Sequence, residues 1–145
     1  MSAAPPLPAA LGELAMDHVA IAVSDLDAAT AAYRALGLEV AGPDETVADQ
    51  GVRVRPLRAG TALVELMAPL TEDGPVARFL ARRGPGLHHV ALRVTGLEAL
   101  LARLAEAGAP LLDSVPRRGR AGTRIAFVHP RFTGGVLVEL VEPAP

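Results

Sequence analysis

Two histidines and two glutamates form the set of residues in this chain whose types invite chemistry: His18 in DHVAIAV, His89 in HHVALRV, Glu65 in ALVELM and Glu139 in VLVELV. Imidazoles and carboxylates gathered on buried faces carry a desolvation cost that a cation between them relieves. A His₂Glu₂ set of nitrogen and oxygen donors suits Co, Mn, Ni, Fe or Zn, and octahedral coordination would leave two positions open for a substrate. The chain has no cysteine. A thiolate metal site, a disulfide framework and a cysteine nucleophile are therefore excluded.

The set is symmetric because the chain repeats itself. Residues 17–38, DHVAIAVSDLDAATAAYRALGL, align without a gap on residues 88–109, HHVALRVTGLEALLARLAEAGA, so that His18 falls on His89, Leu26 on Leu97 and Gly37 on Gly108. ALVELMAP (62–69) aligns on VLVELVEP (136–143), which lays Glu65 on Glu139. A single histidine at a strand start is ordinarily structural, bonded to a neighbouring carbonyl. Recurrence of both His and Glu with the same facing favours ligands instead. His88 pairs with Asp17 in the repeat, and strand alternation turns it away from His89. It reads as a residue behind the ligands or a structural one, replaceable without loss of the metal. His129, in VHPR, is a candidate substrate contact, with a turn role as the alternative.

The elements that must position these residues follow from periodicity. Each half reads as a strand, a helix, then further strands. In DHVAIAV, Val19, Ile21 and Val23 share the face that packs on the helix, while His18 lies with Ala20 and Ala22, whose short side chains leave space. Val90, Leu92 and Val94 repeat the first pattern, and His89, Ala91 and Arg93 the second. Ser24 or Asp25 starts the first helix and Gly37 stops it; Thr95 and Glu98 have capping-box spacing, and Gly108 closes the second helix. VRVRPL (52–57) and TALVELM (61–67) form a hairpin with Ala59-Gly60 at its turn, matched by RIAFVHP (124–130) and GVLVELV (135–141) around Thr-Gly-Gly. Val64, Leu66, Val138 and Leu140 face the helices, and Glu65 and Glu139 face away.

This gives an α+β fold of two paired βαβββ modules forming a curved mixed sheet around a central metal-binding cleft. Residues 1–15 read as a flexible N-terminal arm and 16–145 as one domain, with module 1 at about 16–70, a linking helix at about 74–84 and module 2 at about 86–142. With a net charge of -2, three Phe, one Tyr and no Trp, the chain offers neither the field nor the stacking platforms that nucleic acid requires. No apolar run reaches the roughly 18 residues of a membrane span. A cytoplasmic location is the default, and the apolar surface left by two short modules suits a homodimer.

The paired modules with His and Glu ligands resemble the vicinal oxygen chelate (glyoxalase/bleomycin resistance/dioxygenase) superfamily. Within it DQGVRV, VELMAPL, GLHHVAL and FVHPRFTGGVLVELVE are similar to methylmalonyl-CoA epimerases, from about Asp17 to Glu142. The resemblance implies an isomerase acting on a small-molecule acyl-CoA, interconverting (R)- and (S)-methylmalonyl-CoA by proton removal and return at C2 through a metal-chelated enolate. It implies His18, Glu65, His89 and Glu139 as ligands of a divalent ion, Co²⁺ first, with Mn²⁺, Ni²⁺ or Zn²⁺ as alternatives. It also implies two acid/base carboxylates, one of them Glu139. The other position, ordinarily Glu in that family, is Asp49 in ADQGV, with Glu45 a weaker substitute. Arg117, Arg118, Arg120 and Arg124 form the densest basic cluster and are candidates for the CoA phosphates, an ordinary solvated loop being the alternative. Glyoxalase I and a metal-free small-molecule-binding resistance protein are the competing members.

Overall fold

The computed structural model describes residues 14–145. The arm expected over 1–15 lies outside the described residues apart from Leu14 and Ala15, and Ala15 already opens the first strand. Nine strands and three α-helices are formed among the described residues. The strands are β1 (Ala15–Ala22), β2 (Glu39–Val40), β3 (Glu45–Val47), β4 (Val52–Ala59), β5 (Ala62–Pro69), β6 (Gly86–Arg93), β7 (Arg117–Arg118), β8 (Arg124–Val128) and β9 (Val138–Glu142). The helices are α1 (Leu26–Ala35), α2 (Pro75–Arg83) and α3 (Leu97–Glu106). Strand pairing is mixed and open, an α+β arrangement as expected. No helix among the described residues is long and apolar enough to cross a membrane.

The chain divides into two compact units, Asp17–Val90 and a second formed by 91–145 with the described residues up to 16. In the first, the strand order is β2-β4-β5-β1, with β3 also on β4. β1 runs parallel to β5 in the register His18↔Leu63, Ala20↔Glu65, Ala22↔Met67, so Glu65 shares the face of His18, Ala20 and Ala22. β4 returns antiparallel to β5 across the turn at Gly60, whose φ of 64° a glycine adopts without strain. On one face Leu26, Ala29 and Tyr33 of α1 pack on Ile21, Val23, Leu57 and Leu66. Leu57 and Leu66 are wholly enclosed, each worth about 1.5–3 kcal/mol of burial. On the other face Ala20 and Ala22 are covered by Val47, Val52, Val54 and Met67 together with Val76, Phe79 and Leu80 of α2. The alanine face is thus filled beyond His18 rather than left open. The space that short side chains release is taken up by α2.

The second unit carries the order β9-β8-β7, all antiparallel. Leu97, Leu100, Leu101 and Leu104, at i, i+3, i+4 and i+7, pack α3 on Val94, Ala126, Val128, Val138 and Leu140. Ala91, Ile125, Phe127 and Val141 make the opposite face. The repeat extends to the backbone: Val23 N–H donates to Met67 O at 2.9 Å, and Val94 N–H donates to Val141 O at 2.8 Å.

Several local expectations are corrected. Asp25 does cap α1, accepting from Ala28 N–H at 3.1 Å. Thr95 does not take the N-cap position that its spacing from Glu98 suggests. Gly96 is the N-cap, Leu97 N–H donates to the Glu142 carboxylate at 2.8 Å, and Glu98 pairs with Arg124. A carboxylate from a distant strand thus meets the first free N–H of the helix and a guanidinium engages Glu98, both charge-assisted bonds. The second hairpin is shorter than its pattern, ending at Val128 and resuming at Val138, because Pro130 and a run of turn bonds draw residues 129–135 off the ladder. β2, β3 and β7 are too short to show a period.

Arg55 binds this unit's loops to its sheet. Its Nε and Nη2 donate to the two Asp44 oxygens at 2.7 and 2.8 Å, and Nη1 donates to Asp27 at 2.9 Å and to Thr30 Oγ1 at 3.0 Å. The hydrogen bonds from Arg55 hold the Asp44 carboxyl below its ordinary 3.8. A depressed carboxylate contributes stability above its unfolded value and loses it on acidification. Arg55→Leu is expected to lower the unfolding free energy by about 1–2 kcal/mol at neutral pH, after allowance for solvent screening. Urea titrations will show the gap from wild type narrowing below pH 3.8. Ala20→Leu is expected to cost about 1–3 kcal/mol through overpacking; unchanged stability would mean the face beside Glu65 is open after all.

Candidate metal centre

The β1 alternation carries His18 to the enclosed face, and that of β6 carries His89 inward, leaving them 4% and 2% exposed. Within the first unit their Nε2 atoms face each other at 3.4 Å, with the rings edge to face. Two nitrogens bound at right angles to one ion at about 2.1 Å stand roughly 3.0 Å apart, so this spacing is close to that of two ligands sharing a metal. The far side of each ring is also engaged. Asp17 Oδ2 lies 2.7 Å from His18 Nδ1, and His88 Nδ1 lies 2.9 Å from His89 Nδ1. Burial pushes the His89 imidazole well below its ordinary 6.5, and positive charge on His18 and His88 would add to the shift. Burial lowers His88 in the same direction. Neutral rings are the form that binds a metal.

Glu65, 5% exposed, reaches this centre through the β1–β5 register, but from the other side of His18: its Oε2 lies 3.2 Å from Nδ1, beside Asp17. Asp17, His18 and Glu65 thus form a compact acidic cluster. Glu139 lies in the second unit on β9, opposite Phe127 in the β8 ladder and 4% exposed. A carboxylate so enclosed belongs to a polar site rather than to a hydrophobic core. The donor set itself, two neutral imidazoles with buried carboxylates and no thiolate, fits a divalent ion of the Co, Mn, Ni or Zn kind.

Asp49 sits exposed on a single 3₁₀ turn, Ala48–Gln50, closed by Gly51 at φ 65°. That turn is anchored by Gly51 N–H to Ala48 O at 3.0 Å and by Leu70 N–H to Gly51 O at 2.9 Å, with Val47 and Val52 buried on either side. Glu45 is half-buried on β3, opposite Val54. His129 takes part in a turn: its Nδ1 accepts from Arg131 N–H at 3.0 Å and its own N–H donates to Pro110 O. In the basic cluster Arg124 is paired with Glu98 and Glu142, and Arg117 lies 3.4 Å from Asp113 and over the Phe127 ring. Arg118 is exposed and Arg120 half-buried. The contact of Asp17 with His18 was not anticipated; its one signal in the sequence is that Asp17 takes the place of His88 in the repeat.

A family model described as Glyoxalase/Bleomycin resistance protein/Dioxygenase superfamily matches residues 17–127. An ethylmalonyl-CoA/methylmalonyl-CoA epimerase of Cereibacter sphaeroides is 43% identical over 130 residues, 88% of this chain and 96% of that protein. A crystal structure of methylmalonyl-CoA epimerase from Mycobacterium tuberculosis, 47% identical, superposes with a TM-score of 0.84 over 90% of this chain and 88% of that one. The Streptomyces coelicolor methylmalonyl-CoA epimerase in complex with 2-nitronate-propionyl-CoA is 39% identical, with a TM-score of 0.85 over 90% of this chain and 94% of that one. The chain therefore belongs to the glyoxalase/bleomycin resistance protein/dioxygenase superfamily, in the branch that holds the methylmalonyl-CoA epimerases.

Proposed function

We infer that the chain interconverts (R)- and (S)-methylmalonyl-CoA, and that His18, Glu65, His89 and Glu139 hold a divalent ion, Co²⁺ first, for the purpose. The observation that carries the reading is the buried pair of facing imidazole nitrogens, in a chain 43% identical to an epimerase along nearly its whole length. When bound, a divalent ion stabilises, as a Lewis acid, the negative charge that develops on a thioester oxygen as the α-proton leaves.

The remaining work falls to side chains. Inversion at C2 needs one acid/base group on each face of the planar carbon. In this reading Asp49, entering as the carboxylate, takes the proton on one face. Glu139, as ligand and acid/base and entering protonated, returns a proton to the other; exchange of both carboxyls with solvent resets them for the next turnover. Asp49 is one methylene shorter than the Glu usual at this place, so the anchoring of its turn by Gly51 and Leu70 matters to its reach. Misplacement by about 1 Å can cost two orders of magnitude in rate. Arg118 and Arg120, together with His129, are the proposed contacts for the nucleotide end of CoA. Arg117 and Arg124 belong to the same proposed group and would first exchange a carboxylate partner for phosphate. The reading carries with it a cytoplasmic location and a homodimer, the latter supported by exposed Leu14, Met16 and Leu87.

Protein loaded with Co²⁺ is expected to exchange the C2 proton of methylmalonyl-CoA with deuterated solvent, read by mass spectrometry. No exchange, with turnover of the glutathione hemithioacetal of methylglyoxal instead, would transfer the chain to the glyoxalase I reading. Asp49→Asn is expected to slow exchange by about 100-fold or more with Co²⁺ still bound, and full activity in that variant would remove Asp49 from the mechanism. His89→Ala is expected to lose Co²⁺ altogether in calorimetric titration.

A further inference from the structure

We propose that Asp17 and His88, the residues preceding the two histidine ligands, are a matched pair of positioning residues that grip the Nδ1 side of both rings and keep their Nε2 atoms turned inward. The proposal rests on the metal reading above for its purpose, but on geometry for its content. Repeat alignment places Asp17 on His88, and each touches the Nδ1 of the histidine that follows it, at 2.7 and 2.9 Å. Adjacent strand residues project to opposite faces, so a neighbour cannot fill the space in front of the ligand ring. It can reach round the strand to the ring's near nitrogen, and both residues do so.

The hydrogen-bond inventory then fixes the tautomers. Asp17 as a carboxylate only accepts, so His18 Nδ1 donates. His88 and His89 share one proton between two Nδ1 atoms. In the metal-free protein His18, with its proton on Nδ1, accepts at Nε2 from His89 Nε2–H, so His89 Nδ1 accepts from His88 Nδ1–H. An ion on His89 Nε2 would displace that proton to Nδ1 and reverse the bond with His88. Phe79 of α2 fixes the His88 ring edge to face at 5.0 Å, and this gives the linking helix a part in the site. Glu65 also lies near His18 Nδ1, but at the longer 3.2 Å. Asp17 therefore keeps the ring oriented when Glu65 turns to the ion.

The two partners differ in kind. A carboxylate behind an imidazole makes it a stronger donor than a neutral partner does, so His18 is the tighter ligand and Asp17 the more costly residue to remove. Loss of such partners typically weakens metal binding by about 10–100-fold. His88, which reads in the sequence as replaceable, is replaceable only at that cost.

The test uses the full chain. Nitrogen-15 NMR of the metal-free protein at pH 8 reads the tautomers directly, and Co²⁺ calorimetry with the visible Co²⁺ spectrum reads the site. The expected result for the metal-free protein is Nδ1–H on His18 and Nε2–H on His89, lost for His18 in Asp17→Ala and for His89 in His88→Ala. Co²⁺ affinity is expected to fall about 10–100-fold in each, more in Asp17→Ala. Asp17→Asn and His88→Asn, which keep an acceptor at the same place, are expected to recover most of the affinity; a merely structural role would show no such rescue. Ala variants that fold, bind Co²⁺ within about threefold of wild type and keep the tautomers would overturn the proposal. Wild type with the expected tautomers but no affinity for Co²⁺, Mn²⁺, Ni²⁺ or Zn²⁺ would overturn the metal reading and leave the positioning pair standing.

Discussion

Two imidazole nitrogens facing each other at 3.4 Å on a buried sheet face are the constraint around which the first unit is arranged. Lone pairs so placed repel unless a proton or a cation lies between them, and burial keeps His89 neutral, the form from which a cation can displace that proton. Everything nearby serves that placement. The parallel β1–β5 register delivers Glu65 to the same face, alanines at 20 and 22 allow α2 to approach and seal it, and α2 in turn supplies the ring that steadies His88.

The same logic explains how the two faces of each sheet divide their work. The valine and leucine face is a hydrophobic contact with a helix, supplied by Leu57 and Leu66 under α1 and by Leu97, Leu100 and Leu101 on Ala126 and Leu140. It provides stability that does not depend on any ion. The opposite face can then spend that stability on burying polar groups that a core would not tolerate. Charged clamps act at the margins: Arg55 ties Asp44, Asp27 and Thr30 together, and Arg124 ties Glu98 and Glu142 at the head of α3.

Much of this was legible beforehand because it depends on period and repetition. Strand alternation assigned His18 and His89 to one face and separated His89 from His88, and the gapless repeat singled out the candidate ligands without any structure. The repeat and Gly108 announced α3, and Ser24 or Asp25 announced the start of α1. The start of α3 fell one residue later than Thr95, at Gly96, where Glu142 and Arg124, remote in the chain, supply charge-assisted bonds that spacing does not announce. The apparent space beside the alanines failed as an expectation because short side chains admit whatever packs closest, and here that is α2.

The sequence by itself determined the residue types, their faces and the family, since these depend on spacing along one chain and on a motif repeated within it. Tertiary structure decided distances between strands that are far apart in sequence. It set Asp17 and Glu65 together on His18 Nδ1, placed His88 against His89 Nδ1, drew His129 into a turn and paired Arg124 with carboxylates. Period tells which way a side chain points, but hydrogen bonds and ion pairs weaken steeply beyond a few ångströms. Only the assembled sheet sets separations that fine.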